Sequence, residues 1–178
     1  QLFIAIIALL AERTLDLTKL SPLALFLVTM ASFPFALLTL AGGLLLLHKR
    51  PLISLLNPSG RIDWRKIIFS GVLWFVLSGT SDLILALTSP ENYHFTFDLA
   101  KFLPYLLLGL ILIPIQTSTE EFIFRGYLTQ WMGRYSKRLW LPLVAPSIVF
   151  MLLHSLNPEV DAYGILMTMP VYLGIGLL

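Results

Sequence analysis

Residues 117–128 read Thr-Ser-Thr-Glu-Glu-Phe-Ile-Phe-Arg-Gly-Tyr-Leu, and three of them, Glu120, Glu121 and Arg125, are ionisable. They stand in a run that otherwise has the composition of a membrane-spanning helix. A charged side chain at the centre of a bilayer costs ~2.5–3.5 kcal/mol on insertion scales, so such residues face a protein interior and mark chemistry or transport. The surrounding chain has to supply that interior.

Composition supports the membrane setting. Of the 178 residues, 57% are hydrophobic and 12% are charged, and the mean hydropathy is +0.85. Soluble domains carry about 25% charged residues. The apolar runs are long and continuous, which predicts helices, because barrel strands would alternate every second residue over about ten residues. The expected fold is an all-α, polytopic transmembrane helix bundle. We treat 1–178 as a single membrane-embedded domain with its motif-bearing core over about 102–178. The chain contains no cysteine, which excludes disulfides and thiolate metal sites. It starts without Met at an apolar Leu2 and stops inside another apolar run. The expectation is a bundle truncated at both ends.

In chain order, residues 2–11 are too few to span, and Glu12, Arg13, Asp16 and Lys19 form a polar link. Ser21-Pro22 is a helix start, and the apolar run from it extends to about Leu47. Gly42-Gly43 within it allows either close helix approach or simple backbone slack. His48, Lys49, Arg50, Arg61, Arg65 and Lys66 surround a turn at Asn57-Pro58-Ser59-Gly60. They read as a membrane border and not as a nucleic-acid patch. Further spans are expected over 67–87, from Lys101 to near Trp131, and over 141–154, with a last helix from near Tyr163. The positive-inside rule then places loops 48–66 and 133–138 in the cytoplasm. Trp64, Trp131 and Trp140 fall at those edges as an aromatic belt does. Asp82, beside Ser78, Thr80 and Ser81, lies near an outer helix end where interfacial water accounts for it.

Helical spacing divides the charged stretch. Glu121 and Arg125 are four residues apart with the acid first, the favourable order for an ion pair on one face. Glu120 is rotated about 100° from that face and has no local counter-ion. A carboxylate in such a place suits a general base. The alternative is that all three charges form one structural cluster. His154, four residues after Phe150, is the second candidate. Glu120 is roughly 20 Å along its helix from Arg134, and His154 is roughly 24 Å from Arg138 on the next, antiparallel helix. At similar depth, a carboxylate and an imidazole can share one water, directly or on a metal. Zinc is the divalent metal considered, with Glu120 and His154 as ligands. The set is one ligand short of a zinc site, and H-E-x-x-H is absent. His48 and His94 belong to opposite borders.

Glu120-Glu121-x-x-x-Arg125, followed by Gly126-Tyr127-Leu128, resembles the first motif of the CPBP intramembrane proteases. These comprise the type 2 CAAX prenyl endopeptidases and the bacteriocin-processing (Abi) proteins. Phe150-x-x-x-His154 resembles the second motif. The resemblance covers about residues 104–160. It implies a membrane peptidase in which Glu120 and His154 activate the attacking water and Glu121, Arg125 and Phe150 support them. It also implies a later His followed by Asn or Asp, whereas no His follows His154 here. The implied partners are the lipid bilayer and a membrane-associated peptide or protein, prenylated or not, with no nucleic acid. A metalloprotease and a role in bacteriocin immunity are the associated expectations. The rival is a non-enzymatic immunity or scaffold protein, or an ion-coupled carrier using the same charges.

Overall fold

A computed structural model describes residues 20–57, 60–136, 138–157, 160 and 164–177. The expected helical tail over 2–11, the polar link at 12–19 and most of the link at 158–163 lie outside these residues. Helices joined by short links make up the described residues, with no strand among them, as the continuous apolar runs predict.

Helix α1 covers Pro22–Leu47 and starts where Ser21-Pro22 indicates: the Ser21 hydroxyl accepts from the Ala24 N–H at 3.3 Å. A 3₁₀ turn at Leu52–Leu55 follows. The Asn57–Gly60 turn closes through the Gly60 N–H to the Asn57 carbonyl at 2.9 Å, with Gly60 at φ +64°, a left-handed conformation that glycine adopts without strain. Helix α2, Trp64–Thr88, is capped by Asp63, and α3, Leu99–Glu121, by Asp98. Each cap satisfies N–H groups that a helix start leaves unpaired.

After Glu121 the helix continues as a π-helical segment, Phe122–Leu128, and then as α4, Thr129–Gly133. Together Leu99–Gly133 is one helix of 35 residues. Helix α5 is Trp140–Leu153, followed by a 3₁₀ turn at His154–Leu156, and α6 is Ile165–Leu177.

Three helices, α1, α2 and the Leu99–Gly133 helix, are long and apolar enough to cross a bilayer. Helices α5 and α6 have 14 and 13 residues, about 20 Å each at 1.5 Å per residue. That is less than the ~30 Å hydrocarbon core. The run expected as a span over 141–154 is therefore too short to cross alone and ends at His154.

Contacts fix the helix directions. Phe26 meets Tyr105 edge-to-face with centroids 6.1 Å apart. Further along both helices, the Thr119 hydroxyl lies 2.6 Å from its own Ile115 carbonyl and 3.3 Å from the Phe33 carbonyl. Helices α1 and α3 thus run parallel. Helices α5 and α6 run antiparallel, because Ser147 meets Gly176 while His154 meets Tyr172.

Small and polar side chains are prominent in the interior, beside Phe33, Leu44, Leu55 and Val160. The two least exposed side chains are Thr119 and Ser147, at 1% and 2%, while Phe75, Leu46 and Leu166 are 79–88% exposed. In water this would be inverted. In lipid, large apolar side chains lose nothing by facing outward, and small residues let backbones approach. Helix α2 takes this furthest, with no buried residue along its length. Gly42 and Gly43 have no neighbour within 4 Å of a Cβ position, so close approach at that pair is not what they provide.

Close approach occurs instead at Gly126 and Gly176. A Cβ on Gly176 would stand 3.0 Å from Ser147, whose hydroxyl lies 2.7 Å from the Gly176 carbonyl. A Cβ on Gly126 would stand 2.9 Å from Leu55 Cβ, and Gln130 Nε2 donates to the Leu55 carbonyl at 3.0 Å. These two contacts clamp the 52–55 turn to the π segment and the start of α4. Gly126→Val is expected to destabilise the protein by ~1–3 kcal/mol through overpacking. A lowered unfolding temperature in detergent would show it, with partial recovery in the Gly126→Val/Leu55→Ala double variant. No recovery would mean that the Leu55 contact is not the cause.

Candidate active site

The site assembles where the end of α3, the π segment, the end of α5 and α6 meet. Glu120 occupies the last turn of α3. His154 lies within electrostatic reach of its carboxylate, and the Gln116 side chain hydrogen-bonds to it from one turn earlier. Gln116 belongs to neither motif. Its position still signals the contact, because it lies four residues before Glu120 and so on the same helix face.

His154 caps α5 and is 8% exposed. Its Nδ1 lies 2.7 Å from the Phe150 carbonyl oxygen. A carbonyl only accepts, so Nδ1 carries the proton and a neutral ring presents Nε2 as a free lone pair. The ring is held on both sides. Phe150 lies against it with centroids 4.1 Å apart and Tyr172 of α6 with centroids 4.7 Å apart, at interplanar angles of 36° and 33°. Asn157 Nδ2 donates to the Tyr172 hydroxyl at 2.9 Å, which fixes the second ring. Phe150 also meets Phe124 edge-to-face at 5.3 Å. That contact ties the second motif to the first. Phe150 therefore holds His154 with both its backbone and its ring, and Tyr172 is a further contact that sequence spacing does not reveal.

Glu121 and Arg125 form the expected ion pair. Arg125 also donates from Nη2 to the Ile175 carbonyl of α6. The pair thus does more than cancel its own charge: it pins α6, and with it Tyr172, against the π segment. A uniform α-helix is what the four-residue spacing predicts through this stretch. The chain instead widens to π geometry immediately after Glu121, and the Thr129 hydroxyl bonds back five residues to the Phe124 carbonyl at 2.9 Å. Single π turns inside α-helices concentrate at functional sites. Here the wider turn serves two contacts at once, Arg125 towards α6 and Gly126 against Leu55.

Glu120 and His154 are two of the donors that zinc accepts, and a catalytic zinc needs three protein ligands. Among the described residues no third His, Asp or Glu joins them. The described residues do not by themselves complete a metal site. His94 is exposed. His48 sits at the basic border, 3.5 Å from the Tyr127 hydroxyl. Trp64, Trp131 and Trp140 are 46–64% exposed, in keeping with belt positions.

Both motifs and their spatial pairing fall within residues 99–178, which match the family described as type II CAAX prenyl endopeptidase Rce1-like. The motif-bearing part of the chain is similar to that family. A curated relative, the uncharacterized protein YyaK of Bacillus subtilis (strain 168), is 38% identical over 115 residues. That alignment covers 64% of this chain and 38% of YyaK, so the chain spans well under half of that relative's length. No solved structure matches. The three long apolar helices and the Rce1-like match support an integral membrane protein.

Proposed function

We propose that this protein is an intramembrane endopeptidase in which Glu120 and His154 direct a water molecule onto the scissile carbonyl of a membrane-associated peptide or protein. The observation that carries the reading is that His154, on the neighbouring helix, lies within electrostatic reach of Glu120, with the imidazole tautomer set by the Phe150 carbonyl.

In this reading the Glu120 carboxylate takes one proton from water. His154 Nε2 accepts the other hydrogen of the same water as a hydrogen bond and so aims its lone pair. The oxygen bonds to the carbonyl carbon and the proton on Glu120 passes to the nitrogen as the C–N bond breaks. The protein ends in its starting state. Such a positioned base contributes about 10²–10⁴ in rate. Gln116, donating to Glu120, holds the carboxylate in place. Glu121, Arg125, Phe150 and Tyr172 position the two reacting groups without touching the water.

The test is cleavage of membrane peptides by the chain reconstituted in vesicles, with product termini identified by mass spectrometry. The expected result is a new internal carboxyl terminus that carries ¹⁸O when the reaction runs in ¹⁸O-labelled water. Intact substrates under every condition would sink the reading.

The membrane we assign is the bacterial cytoplasmic one, with loops 48–66 and 133–138 on the cytoplasmic side, supported by their Lys and Arg content. The chain has no native cysteine, so single Ser136→Cys and Glu91→Cys variants report sidedness cleanly. An impermeant maleimide added to intact cells should label the cysteine at 91 and spare the one at 136. The opposite pattern would reverse the orientation.

A further inference from the structure

Two cavities meet at the basic border, on the side of the π segment that carries Tyr127. The larger, 410 Å³, is a groove along α1 lined by Thr39, Leu40, Gly43, Leu44 and, across from them, Ile123 and Tyr127. Such a volume is in the range that holds a small ligand. The smaller, 140 Å³, is polar, and its lining includes His48, Arg50, Gln130, Trp131 and Arg134. Leu44, His48 and Tyr127 line both, so the two are continuous.

Charge and length identify the occupant. Among the residues lining the polar end there are two arginines and a histidine and no carboxylate. Among the described residues neither Arg50 nor Arg134 is in an ion pair. The polar end therefore suits an anion. The apolar groove runs from Phe35 to Leu47, about 18 Å of helix, which matches one leaflet of a ~30 Å hydrocarbon core. Trp131 lines the polar end, where an amphipathic ring sits at headgroup level. An anion attached to a chain one leaflet long is an anionic lipid, and basic pockets between helices at a membrane border bind such headgroups.

We propose that this continuous site holds one anionic glycerophospholipid, its phosphate between Arg50, Arg134 and His48 and one acyl chain along the α1 groove. The inference does not rest on the protease reading. The bound lipid touches Ile123 and Tyr127 of the π segment, and so couples the border to the helix that carries Glu120.

The test is native mass spectrometry of the chain extracted from vesicles of phosphatidylcholine with a minor fraction of phosphatidylglycerol. The expected result is one phosphatidylglycerol retained per chain. Arg50→Gln or Arg134→Gln should weaken retention about fivefold, and the double variant about thirtyfold. Arg61→Gln/Arg65→Gln, at the same border but outside the cavity, should leave it unchanged. Gly43→Leu, at a position with open space around its Cβ, should lower retention by filling the groove. Circular dichroism confirms that each variant is folded. Equal losses in the two double variants would reduce the site to general border electrostatics and overturn the proposal. So would displacement of the lipid by glycerol phosphate at comparable concentration, retention of phosphatidylcholine with equal strength, or a peptide in place of the lipid.

Discussion

Glu120→Gln should abolish peptide cleavage, lowering kcat by about 10²–10⁴, while the protein still folds into membranes. The substitution keeps the side chain's volume and its ability to accept from Gln116, and it removes the group that takes the proton from water. Glu121→Gln on the same helix should behave differently. It weakens the pair with Arg125 and so loosens α6, which costs stability and some activity but leaves the base in place. The measurement is a side-by-side cleavage assay with unfolding temperatures for both variants. Full cleavage by the Glu120 variant would remove it from the mechanism. A scaffold or immunity role would instead predict an unchanged phenotype for Glu120→Gln in cells.

His154→Gln should produce a loss of similar size, expressed in kcat with little change in KM, because in the proposed mechanism the imidazole aims the water and does not hold the substrate. Its fixed tautomer is the reason. With Nδ1 committed to the Phe150 carbonyl and the ring between Phe150 and Tyr172, Nε2 has one direction to point. Groups that act as one unit are not additive. The Glu120→Gln/His154→Gln double variant should therefore be no slower than the worse single variant. Losses that multiply would show that the two residues act on separate steps. Tyr172→Leu offers a milder probe: it removes one wall and the Asn157 contact, and should lower kcat without abolishing it.

Much of this site is legible in the sequence for a physical reason. Pairing four residues apart is a local property of helices, so spacing alone matches Glu121 with Arg125 and sets Glu120 apart. Adjacent antiparallel helices advance equally from a shared border, which brings Glu120 level with His154. Gln116 is legible by the same four-residue rule, although it lies just outside the charged stretch. Tyr172, Leu55 and Ile175 are not. Tyr172 looks like any aromatic in an apolar helix, Ile175 acts through a backbone carbonyl that every residue possesses, and Leu55 meets Gly126 from a distant turn. The short length of α5 is hidden as well, since an apolar run shows where a helix can be and not where it stops.

Hydropathy and helical period, read along the chain, are enough for the all-helical membrane class. They are also enough to split the charged stretch into a pair and a separate acid, and to match that acid with His154. Each of these depends on near neighbours. Three features required the assembled helices: the widening after Glu121, the seating of Gly126 on Leu55, and the clamping of His154 between Phe150 and Tyr172. Those depend on which distant backbone and ring comes to lie alongside. Packing of small residues inward, with large ones turned to lipid, settles that only once the helices are together.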